Sequence, residues 1–443
     1  MGKNSKYSQR RVFFRILISI SILGLLVVGI SSCNFPAISD ILPGSQETQV
    51  VNQASSTPTP LPTATPEVPL EQPRQLILWL PPQFDPQVTT TAGNLLSARL
   101  DEFVSRRPQT ELQVRVKSLQ GEYGLLESLR LIESAAPLLK PNLVALPRSF
   151  VNEAVEDGLV IPFDDYRDLS VEDDWYPYAL DLAQVDGQTT GIPFAGDLMV
   201  LAYKEDGDNP PPTTWNSFLE VQRSVSFPAS DPQGLVTLAW YQSLGGELRD
   251  EDGNPALDEE LILQVLNFYE QAQDVNLMPY WLTQFEHMDQ SWESYLERQS
   301  TMSITWSSTL LDSNSPNTTL AAMPTKDDKA FAYADGWVWC VVPSDSETEE
   351  FTLELAAFLT DSDFLNIWAV EGGYLPVRPT SLESWSDSPY YATFEKLLPA
   401  AVLVPEEELT SDLGPPIRDA VVEILKNQVE PEAVLETLLE KVQ

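Results

Sequence analysis

From residue 76 onward, short apolar runs alternate with segments in which apolar residues recur at helical spacing. The first run, 76–80, is apolar throughout, as expected of a strand that is buried on both faces of a parallel sheet. Further strand patterns lie at 112–116 and 143–146, and helical patterns lie at 95–104, 125–132 and 148–156. This alternation predicts βαβ units and an α/β fold with a mostly parallel sheet.

The rest of the chain has a different pattern. Residues 192–203 predict one long extended segment, and a run of three prolines at 210–212 follows it. Helical spacing then dominates, with predicted strands at 302–306 and 337–342. Residues 415–442 predict two amphipathic helices that meet near Pro431. About 370 residues lie beyond position 75, which is enough for two or three domains.

Residues 1–32 have the pattern of an export signal. Five basic residues come before any acidic one, and an apolar run follows at 16–30, as in a secretory signal peptide. The run is shorter than the ~20 residues of a permanent membrane span. It ends in ISSC, which resembles the lipobox of bacterial lipoproteins, so we predict that Cys33 carries lipid and anchors the chain. A plain signal peptide, or an uncleaved anchor with an incidental cysteine, is the alternative.

Residues 33–75 predict a linker. The segment is rich in Pro, Ser and Thr and has little apolar periodicity, which is typical of a disordered or polyproline-like tether. As a flexible coil it would span about 35 Å. Such a tether would let a lipid-anchored body reach both solvent and a membrane partner.

Charge and residue usage exclude several classes of function. The formal net charge is −40, which argues against nucleic acid or an anionic membrane surface as a partner. The two cysteines are Cys33 and Cys340, and His287 is the one histidine, so a cluster of several His or Cys ligands for a metal cannot form. No Gly-rich phosphate loop predicts a nucleotide cofactor. The segment 250–254 (DEDGN) lacks the spacing of a calcium loop and predicts an acidic turn.

An ordered set of segments resembles the family 1 extracellular solute-binding proteins, the group that includes maltose-binding protein and other carbohydrate receptors. The resemblance covers nearly all of 75–443. It rests on the following segments: LILWL, PNLVALPRSFVNEAVEDGLVIPFDD, VDGQTTGIPFAGDLMVLAYK, PPTTWNSFLE, YQSLGGELRDEDGNPALD, SWESYLERQSTMSITWSS, YADGWVWCVVPSDSETEEFTLELAAFLTD and GGYLPVRPTSLE.

The resemblance implies a two-lobed α/β fold of the periplasmic-binding-protein type (type II), with a ligand cleft between lobes joined by hinge segments. The crossing segments would lie near 192–199, 331–335 and 372–377. Lobe 1 would combine 75–192 with 335–372. Lobe 2 would combine 198–330 with 376–443.

The resemblance also implies a set of ligand-binding residues. Asp197 corresponds to an acidic ligand contact of the maltose-type receptors, and a carboxylate in so apolar a stretch is costly unless it is paired or faces a cleft. Trp306 ends a predicted strand where the family's receptors often place a stacking aromatic. The other candidates are Arg148, Trp240, Tyr241, Trp337 and Tyr374, with Gln83 and Asp85 as weaker ones. For each of them, a place in the core or a surface ion pair is the alternative.

Two departures from the family pattern loosen the ligand assignment. The family's PDV motif is Pro141-Asn142-Leu143 here, so an amide replaces an acidic contact. The C-terminal segment TSDLGPPIRDA lacks the aromatic residue of the maltose-type receptors. The ligand implied by the resemblance is therefore a small solute, with a carbohydrate the first candidate, and need not be maltose.

The predicted function is an extracytoplasmic receptor, with no catalytic activity, that delivers its solute to the permease subunits of an ABC importer. One alternative is a membrane-tethered glycoside hydrolase with two catalytic carboxylates. No paired acidic motif stands out from so acidic a chain, and His287 lies in a polar stretch. The other alternative is a sensor or adhesion lipoprotein of the same fold, which the sequence cannot distinguish from an importer receptor.

Overall fold

The computed structural model describes residues 73–442, apart from 165, 205–209, 314 and 316. The predicted signal peptide, Cys33 and nearly all of the linker lie outside the described residues. The strands are β1 Arg74–Leu80, β2 Thr110–Val116, β3 Leu143–Pro147, β4 Gln184–Val185, β5 Gln188–Thr189, β6 Ile192–Lys204, β7 Val225–Ser226, β8 Met302–Trp306, β9 Thr318–Ala321, β10 Ala332–Val341 and β11 Ala401–Leu403.

The helices follow the predicted periodicity closely in the N-terminal half. They are α1 Thr91–Ser105, α2 Leu125–Ala135, α3 Arg148–Glu156, α4 Pro177–Ala183, α5 Trp215–Glu220, α6 Leu235–Ser243, α7 Glu259–Asp274, α8 Met288–Leu296, α9 Ser307–Asp312, α10 Ser346–Leu359, α11 Ser362–Gly372, α12 Pro379–Leu382, α13 Tyr391–Leu397, α14 Glu407–Asn427 and α15 Pro431–Val442. No helix among the described residues is long and apolar enough to cross a membrane.

One mixed sheet organises the described chain. Its strand order is β2-β1-β3-β10-β6-β8-β7, with β11 paired to β10 and β9 paired to β6. The pairs β1–β2 and β1–β3 are parallel, as the βαβ pattern predicts. The pairs β3–β10, β10–β6 and β6–β8 are antiparallel. The pairs β10–β11 and β7–β8 are parallel again, so the sheet is antiparallel in its middle and parallel on both sides of it.

Strands β6 and β10 connect two hydrophobic cores. Along β6, Val200 and Ala202 pack in a first core that also contains β1, β3 and α1. Met199 and Leu201, on the other face of the strand, pack in a second core with α6, α7 and α14. Side chains alternate between faces along a strand, so one long apolar strand contributes to both cores.

The C-terminal region divides differently from the expectation. Val377, Leu382, Trp385 and Phe394 pack in the first core, whereas the resemblance assigned 376–443 to the second lobe. The fully buried C-terminal residues of the second core come from α14 and α15 in the described part of the chain, and Val404 and Val429 pack against them. Helix α14 also begins at Glu407, earlier than the predicted start at 415, because its first turns pack Leu409 and Leu413 there.

Candidate functional site

The two long strands between the cores place two carboxyl groups side by side. Asp335 of β10 lies directly opposite Asp197 of β6 in the antiparallel ladder. Residues opposite each other have side chains on the same face, with Cβ atoms about 5 Å apart. Like charges in such positions are destabilising, so this pair is an unusual feature of the crossing strands.

Asp197 is held by donors from the start of α9. Its Oδ1 accepts hydrogen bonds from Ser307 Oγ at 2.7 Å, from the Ser308 backbone N–H at 2.9 Å and from the Leu198 N–H at 2.9 Å. Its Oδ2 accepts one from the Ser308 hydroxyl. The carboxylate therefore fixes α9 to the crossing strand, and chiefly Oδ2 retains capacity for a further donor.

The two carboxyl groups differ in how well their charge is compensated. Burial raises the pKa of Asp197, although its hydrogen bonds from Ser307, Ser308 and Leu198 oppose that change. Burial and, to a smaller extent, the charge of Asp197 raise the pKa of Asp335 to about 6, although the Gly336 N–H and the Arg148 guanidinium oppose the change. A buried charge with few partners favours its neutral form.

The opposite face of the same strands is closed by α4. Gly196 and Gly336 are also directly opposite each other. A side chain at Gly196 would collide with the Tyr178 hydroxyl, and one at Gly336 would come within 2.7 Å of Leu182 Cδ1. Because neighbouring residues point to opposite faces, the two carboxyl groups lie on the face away from α4.

The third predicted crossing segment, 372–377, contacts β6 next to Asp197. Gly196 and Leu375 exchange backbone hydrogen bonds of 2.9 and 2.8 Å. Tyr178 supports this contact, because its hydroxyl donates to the Pro376 carbonyl at 3.1 Å. All three predicted crossing segments therefore meet within a few residues of Asp197.

Trp337 and Tyr374 belong to one aromatic cluster beside these crossings. The ring of Phe84, in the turn after β1, lies 4.9 Å from the Trp337 ring and 5.3 Å from the Tyr374 ring, between centroids. Tyr374 also stacks on Trp368 at 6.2 Å. Burial raises the pKa of the Tyr374 phenol, and the charge of Asp197 adds to the effect. Both candidates are half-buried, so each keeps part of its ring accessible.

Trp306 is the last residue of β8 and lies next to the crossing. It is opposite Met199 of β6, two positions from Asp197 along that strand. Its side chain is half-buried and packs against the second core. Trp306 also precedes the two serines that hold Asp197, so the structure brings these two predicted residues together.

Arg148 begins α3, directly after β3, and lines a cavity of about 500 Å³. Gln242, Glu247 and Arg249 from the second half of the chain also line it, together with Glu406. The Arg148 guanidinium donates to Asn152 Oδ1. Burial lowers its pKa, which the charges of Glu406 and Asp335 oppose. Of the predicted residues, this cavity contains Arg148 alone.

Trp240 and Tyr241 are not placed at the crossing, and this expectation is corrected. Both side chains are fully buried in the second core. Trp240 Nε1 donates to the Pro324 carbonyl at 3.0 Å. The Tyr241 hydroxyl donates to the Glu247 carbonyl and accepts from the Asp258 N–H, both at 2.8 Å. Helix α6 is buried on nearly every side, so its aromatics complete the core.

The weaker candidates and the acidic segment have local roles. Gln83 is exposed, and Asp85 Oδ1 accepts the Gln87 N–H at 2.8 Å. Asp250 accepts the N–H groups of Asp252 and Asn254, so DEDGN forms a closed acidic turn. Among the described residues, no group of three or more His, Cys, Asp or Glu side chains is arranged to hold a metal ion.

Sequence reasoning missed Asp335. A signal for it was present, because this acidic residue interrupts the apolar run AYADGWVWCV in the same way that Asp197 interrupts its own strand. The cost of burying a carboxyl group applies equally to both positions. Their direct opposition across the ladder requires knowledge of the strand register.

Sequence comparison relates the chain to binding proteins. It is 22% identical over 320 residues to the maltotriose-binding protein of Pyrococcus abyssi. The matched region covers 68% of this chain and 69% of that relative. It is 22% identical over 306 residues to a putative binding protein of Brucella abortus, which covers 63% and 74%.

Structural comparison shows the fold. The cyclic alpha-maltosyl-1,6-maltose binding protein of Arthrobacter globiformis has a TM-score of 0.67 at 14% identity, covering 84% of this chain and 98% of that chain. The Thermus thermophilus maltotriose-binding protein has a TM-score of 0.60 at 16% identity, covering 83% and 98%. These neighbours share the two-lobed α/β fold. The family model for bacterial extracellular solute-binding proteins matches residues 111–393 of the sequence. The chain therefore belongs to that family.

Proposed function

We propose that this protein captures a carbohydrate at the crossing strands and delivers it to the permease subunits of an ABC importer. The observation that carries the proposal is the adjacency of Asp197 and Trp306 at the junction of the two cores. A carboxylate that accepts hydroxyl groups beside an indole that covers a ring face is the combination a sugar requires. Relatives named for maltotriose and other maltosaccharides support malto-oligosaccharides as the first ligands to test.

The remaining residues have assigned roles in this proposal. Trp337 and Tyr374 supply further accessible ring surface beside the crossings. Arg148 donates to ligand oxygens from the end of β3, where α/β sheets form their crevices. The lobes, with boundaries as the resemblance implies but with 376–403 moved to the first, close over the ligand by hinge motion.

Anchoring and location belong to the same proposal. As a member of an extracellular family, the protein acts outside the cytoplasm. We propose that lipid on Cys33 holds it at the membrane surface and that residues 33–75 form the tether. A tethered receptor remains close to its importer, which raises the effective concentration of loaded receptor at the permease.

We further propose that the body has no catalytic activity. Glycoside hydrolysis needs one carboxyl group as acid and a second as nucleophile or base, on either side of the scissile bond. Asp197 and Asp335 instead project from adjacent strands onto one face, and Asp197 is engaged by α9. Sugar turnover by the purified protein, abolished by a single carboxylate substitution, would contradict this part.

A ligand screen by thermal shift tests the main proposal. The protein without its signal and tether (73–443) is heated with maltotriose, maltotetraose, other saccharides, polyols, amino acids and peptides. A ligand at 100 times its Kd stabilises the folded state by about 2.7 kcal/mol, so saccharides should raise Tm and the other classes should not. Stabilisation by amino acids or peptides alone would contradict a carbohydrate ligand. Ligand-dependent co-purification with an ABC permease, rather than with a sensor kinase, tests delivery.

A further inference from the structure

We infer that Asp335 is a ligand-contacting, specificity-determining residue that favours neutral, hydroxyl-rich ligands over anionic ones and couples their binding to proton release. This inference rests on the proposed function and adds a residue and a ligand preference to it.

The position of Asp335 places its carboxyl group on the ligand side of the crossing. It lies opposite Asp197 on the face away from α4, since the paired glycines next to both residues face Tyr178 and Leu182. The next residue on the same face of β10 is Trp337, one of the rings in the aromatic cluster. Asp335 is therefore flanked by the two predicted ligand contacts Asp197 and Trp337.

The hydrogen-bond partners of the two carboxyl groups assign them different roles. Asp197 accepts four hydrogen bonds within the fold and serves to position α9. Asp335 Oδ1 accepts the N–H of Gly336 at 2.7 Å, and no donor among the described residues reaches its Oδ2. This oxygen is not sealed in the interior either, since Asp335 is half-buried. Asp335 thus has more free acceptor capacity than Asp197 at the crossing.

Charged groups face Asp335 from several elements. Asp197 on β6 opposes its ionisation, and Arg148 at the start of α3 favours it. Arg148 is itself influenced by Glu406, next to α14, and by Asp181 on α4. An anionic ligand would add a third negative charge beside Asp197 and Asp335. A neutral hydroxyl group can instead donate to Asp335 Oδ2 and replace the water that is lost on closure.

The direction of the proton coupling follows from which form of Asp335 a hydroxyl donor prefers. Burial and Asp197 raise the pKa of Asp335 to about 6 in the free protein. A ligand that donates a hydrogen bond to the carboxylate binds the ionised form more tightly, so the pKa is lower in the complex and binding releases protons. Affinity should therefore be greatest above pH 6 and should fall by about tenfold between pH 7 and pH 5.

Calorimetry with maltotriose tests the inference on the wild-type chain, Asp335→Asn and Asp181→Asn. The wild type should lose about tenfold in affinity from pH 7 to pH 5, and at pH 6 it should release about half a proton, measured in two buffers of different ionisation enthalpy. Asp335→Asn should bind about 10- to 100-fold more weakly at pH 7 and show no pH dependence. Asp181→Asn removes an exposed charge that acts on the same arginine and should change neither quantity. Maltobionate, which carries a carboxylate, should bind the wild type more weakly than maltotriose does, and Asp335→Asn should reduce that difference.

The outcomes separate this inference from the proposed function. If the wild type binds maltotriose but Asp335→Asn keeps both the affinity and the pH profile, Asp335 is not a ligand contact and the proposed function stands. If Asp335→Asn does not fold, the proton count of the wild type decides, and release of no protons at pH 6 overturns the inference. If the wild type binds maltotriose at no pH, the inference fails for malto-oligosaccharides together with the proposed ligand class.

Discussion

The phenol of Tyr178 occupies the space that a side chain at Gly196 would need. The Tyr178 hydroxyl donates a hydrogen bond to the Pro376 carbonyl. The Gly196 backbone forms an antiparallel bridge with the Leu375 backbone. One glycine thus lets a helix of the first core approach the crossing strand and fix the third crossing segment against it. The absent side chain is a structural requirement of the junction.

Gly196→Ala should destabilise the protein by about 1–3 kcal/mol, because the new methyl group overpacks the contact with Tyr178. Tyr178→Phe should cost about 1 kcal/mol through loss of the hydrogen bond to Pro376. The double variant should cost less than the sum of the two, since removal of the hydroxyl makes room for the methyl group. Urea unfolding measures all three.

Gly372→Ala is the matched control for that series. A Cβ at Gly372 would make only ordinary contacts, with Tyr374 at 3.4 Å and Ala92 at 3.7 Å. Its free energy of unfolding should stay within about 0.5 kcal/mol of the wild type. Strict additivity of Gly196→Ala and Tyr178→Phe would contradict direct contact between the two side chains.

The strands of this junction could be predicted from the sequence, because buried strands need long apolar runs and such runs are visible in the sequence. The stretch 192–203 was predicted as extended and forms most of β6. Asp197 was identifiable as a carboxylate that such a stretch must compensate, and Trp306 by its place at a strand end. The strand positions of both residues are local features, whereas their selection as ligand contacts depended on the resemblance to the solute-binding family.

Other features depend on packing that local patterns do not determine. Trp240 and Tyr241 were predicted as ligand contacts, yet α6 is surrounded by α7, α14 and the sheet, so both are core residues. Asp335 escaped notice because its importance arises from Asp197, 138 positions away in the chain, through the ladder register. The resemblance placed 376–403 in the second lobe, whereas its buried apolar residues pack in the first core, a contact that local patterns do not determine.

A second prediction concerns Arg378, which fixes the chain after the third crossing. Its guanidinium stacks on Trp175 at 3.7 Å from the ring centroid and donates from Nε to the Thr360 carbonyl at 3.1 Å. It also lies 3.8 Å from Glu172 and 3.5 Å from Asp174. Arg378→Ala should cost about 3 kcal/mol, because it leaves two partly buried carboxylates without this partner.

Arg378→Lys is the informative comparison for that variant. Lysine keeps the positive charge but loses the planar stack on Trp175 and the directed Nε–H bond. If charge alone matters, its free energy of unfolding in urea should equal that of the wild type. We expect an intermediate loss of about 1–2 kcal/mol, and equal losses for Lys and Ala would show that the charge contributes nothing.

A third prediction is that Asp335 makes the fold less stable near neutral pH. The pKa of Asp335 in the folded protein, about 6, lies above the ordinary value of 3.8. The folded state therefore binds this proton more tightly than the unfolded state, so the stabilisation from protonation is fully present below pH 3.8 and is lost as pH rises to about 6. Asp335→Asn should be more stable than the wild type by about 0.5–1 kcal/mol at pH 7.5.

The same comparison at pH 5 is the control for that prediction. At pH 5 Asp335 is largely protonated in the folded wild type but still largely ionised in the unfolded chain, so the difference between the two free energies of unfolding should be smaller than at pH 7.5 and should disappear only below pH 3.8. A variant that is less stable at both pH values would show that Asp335 serves the fold. Greater stability together with weaker ligand binding is the pattern expected of a residue retained for function.

A fourth prediction tests the anchor. Cys33→Ser should abolish lipid attachment, so the protein should leave the membrane fraction or accumulate as an unprocessed precursor. Detergent phase partitioning and the mass of the N-terminal peptide measure both outcomes. Cys340→Ser is the matched control, because that thiol is buried in the first core. Membrane retention and normal processing of Cys33→Ser would contradict the lipobox assignment.

The last prediction separates two tryptophans that sequence alone placed in the same class. Trp306 is half-buried at the end of β8 beside Asp197, whereas Trp240 is fully enclosed in the second core. Trp306→Ala should weaken maltotriose binding by about 10- to 100-fold, because the sugar loses its stacking surface, and should cost less stability than a core truncation. Trp240→Ala should cost about 3–5 kcal/mol of folding free energy through the cavity it leaves. The fraction of that variant that remains folded at low temperature should bind with the wild-type Kd. Calorimetry gives the Kd for maltotriose of each variant, and urea unfolding gives the free energy of unfolding of each. If Trp240→Ala impairs binding in the folded fraction while Trp306→Ala does not, the ligand lies on the α6 side of the junction and the crossing-strand site is wrong.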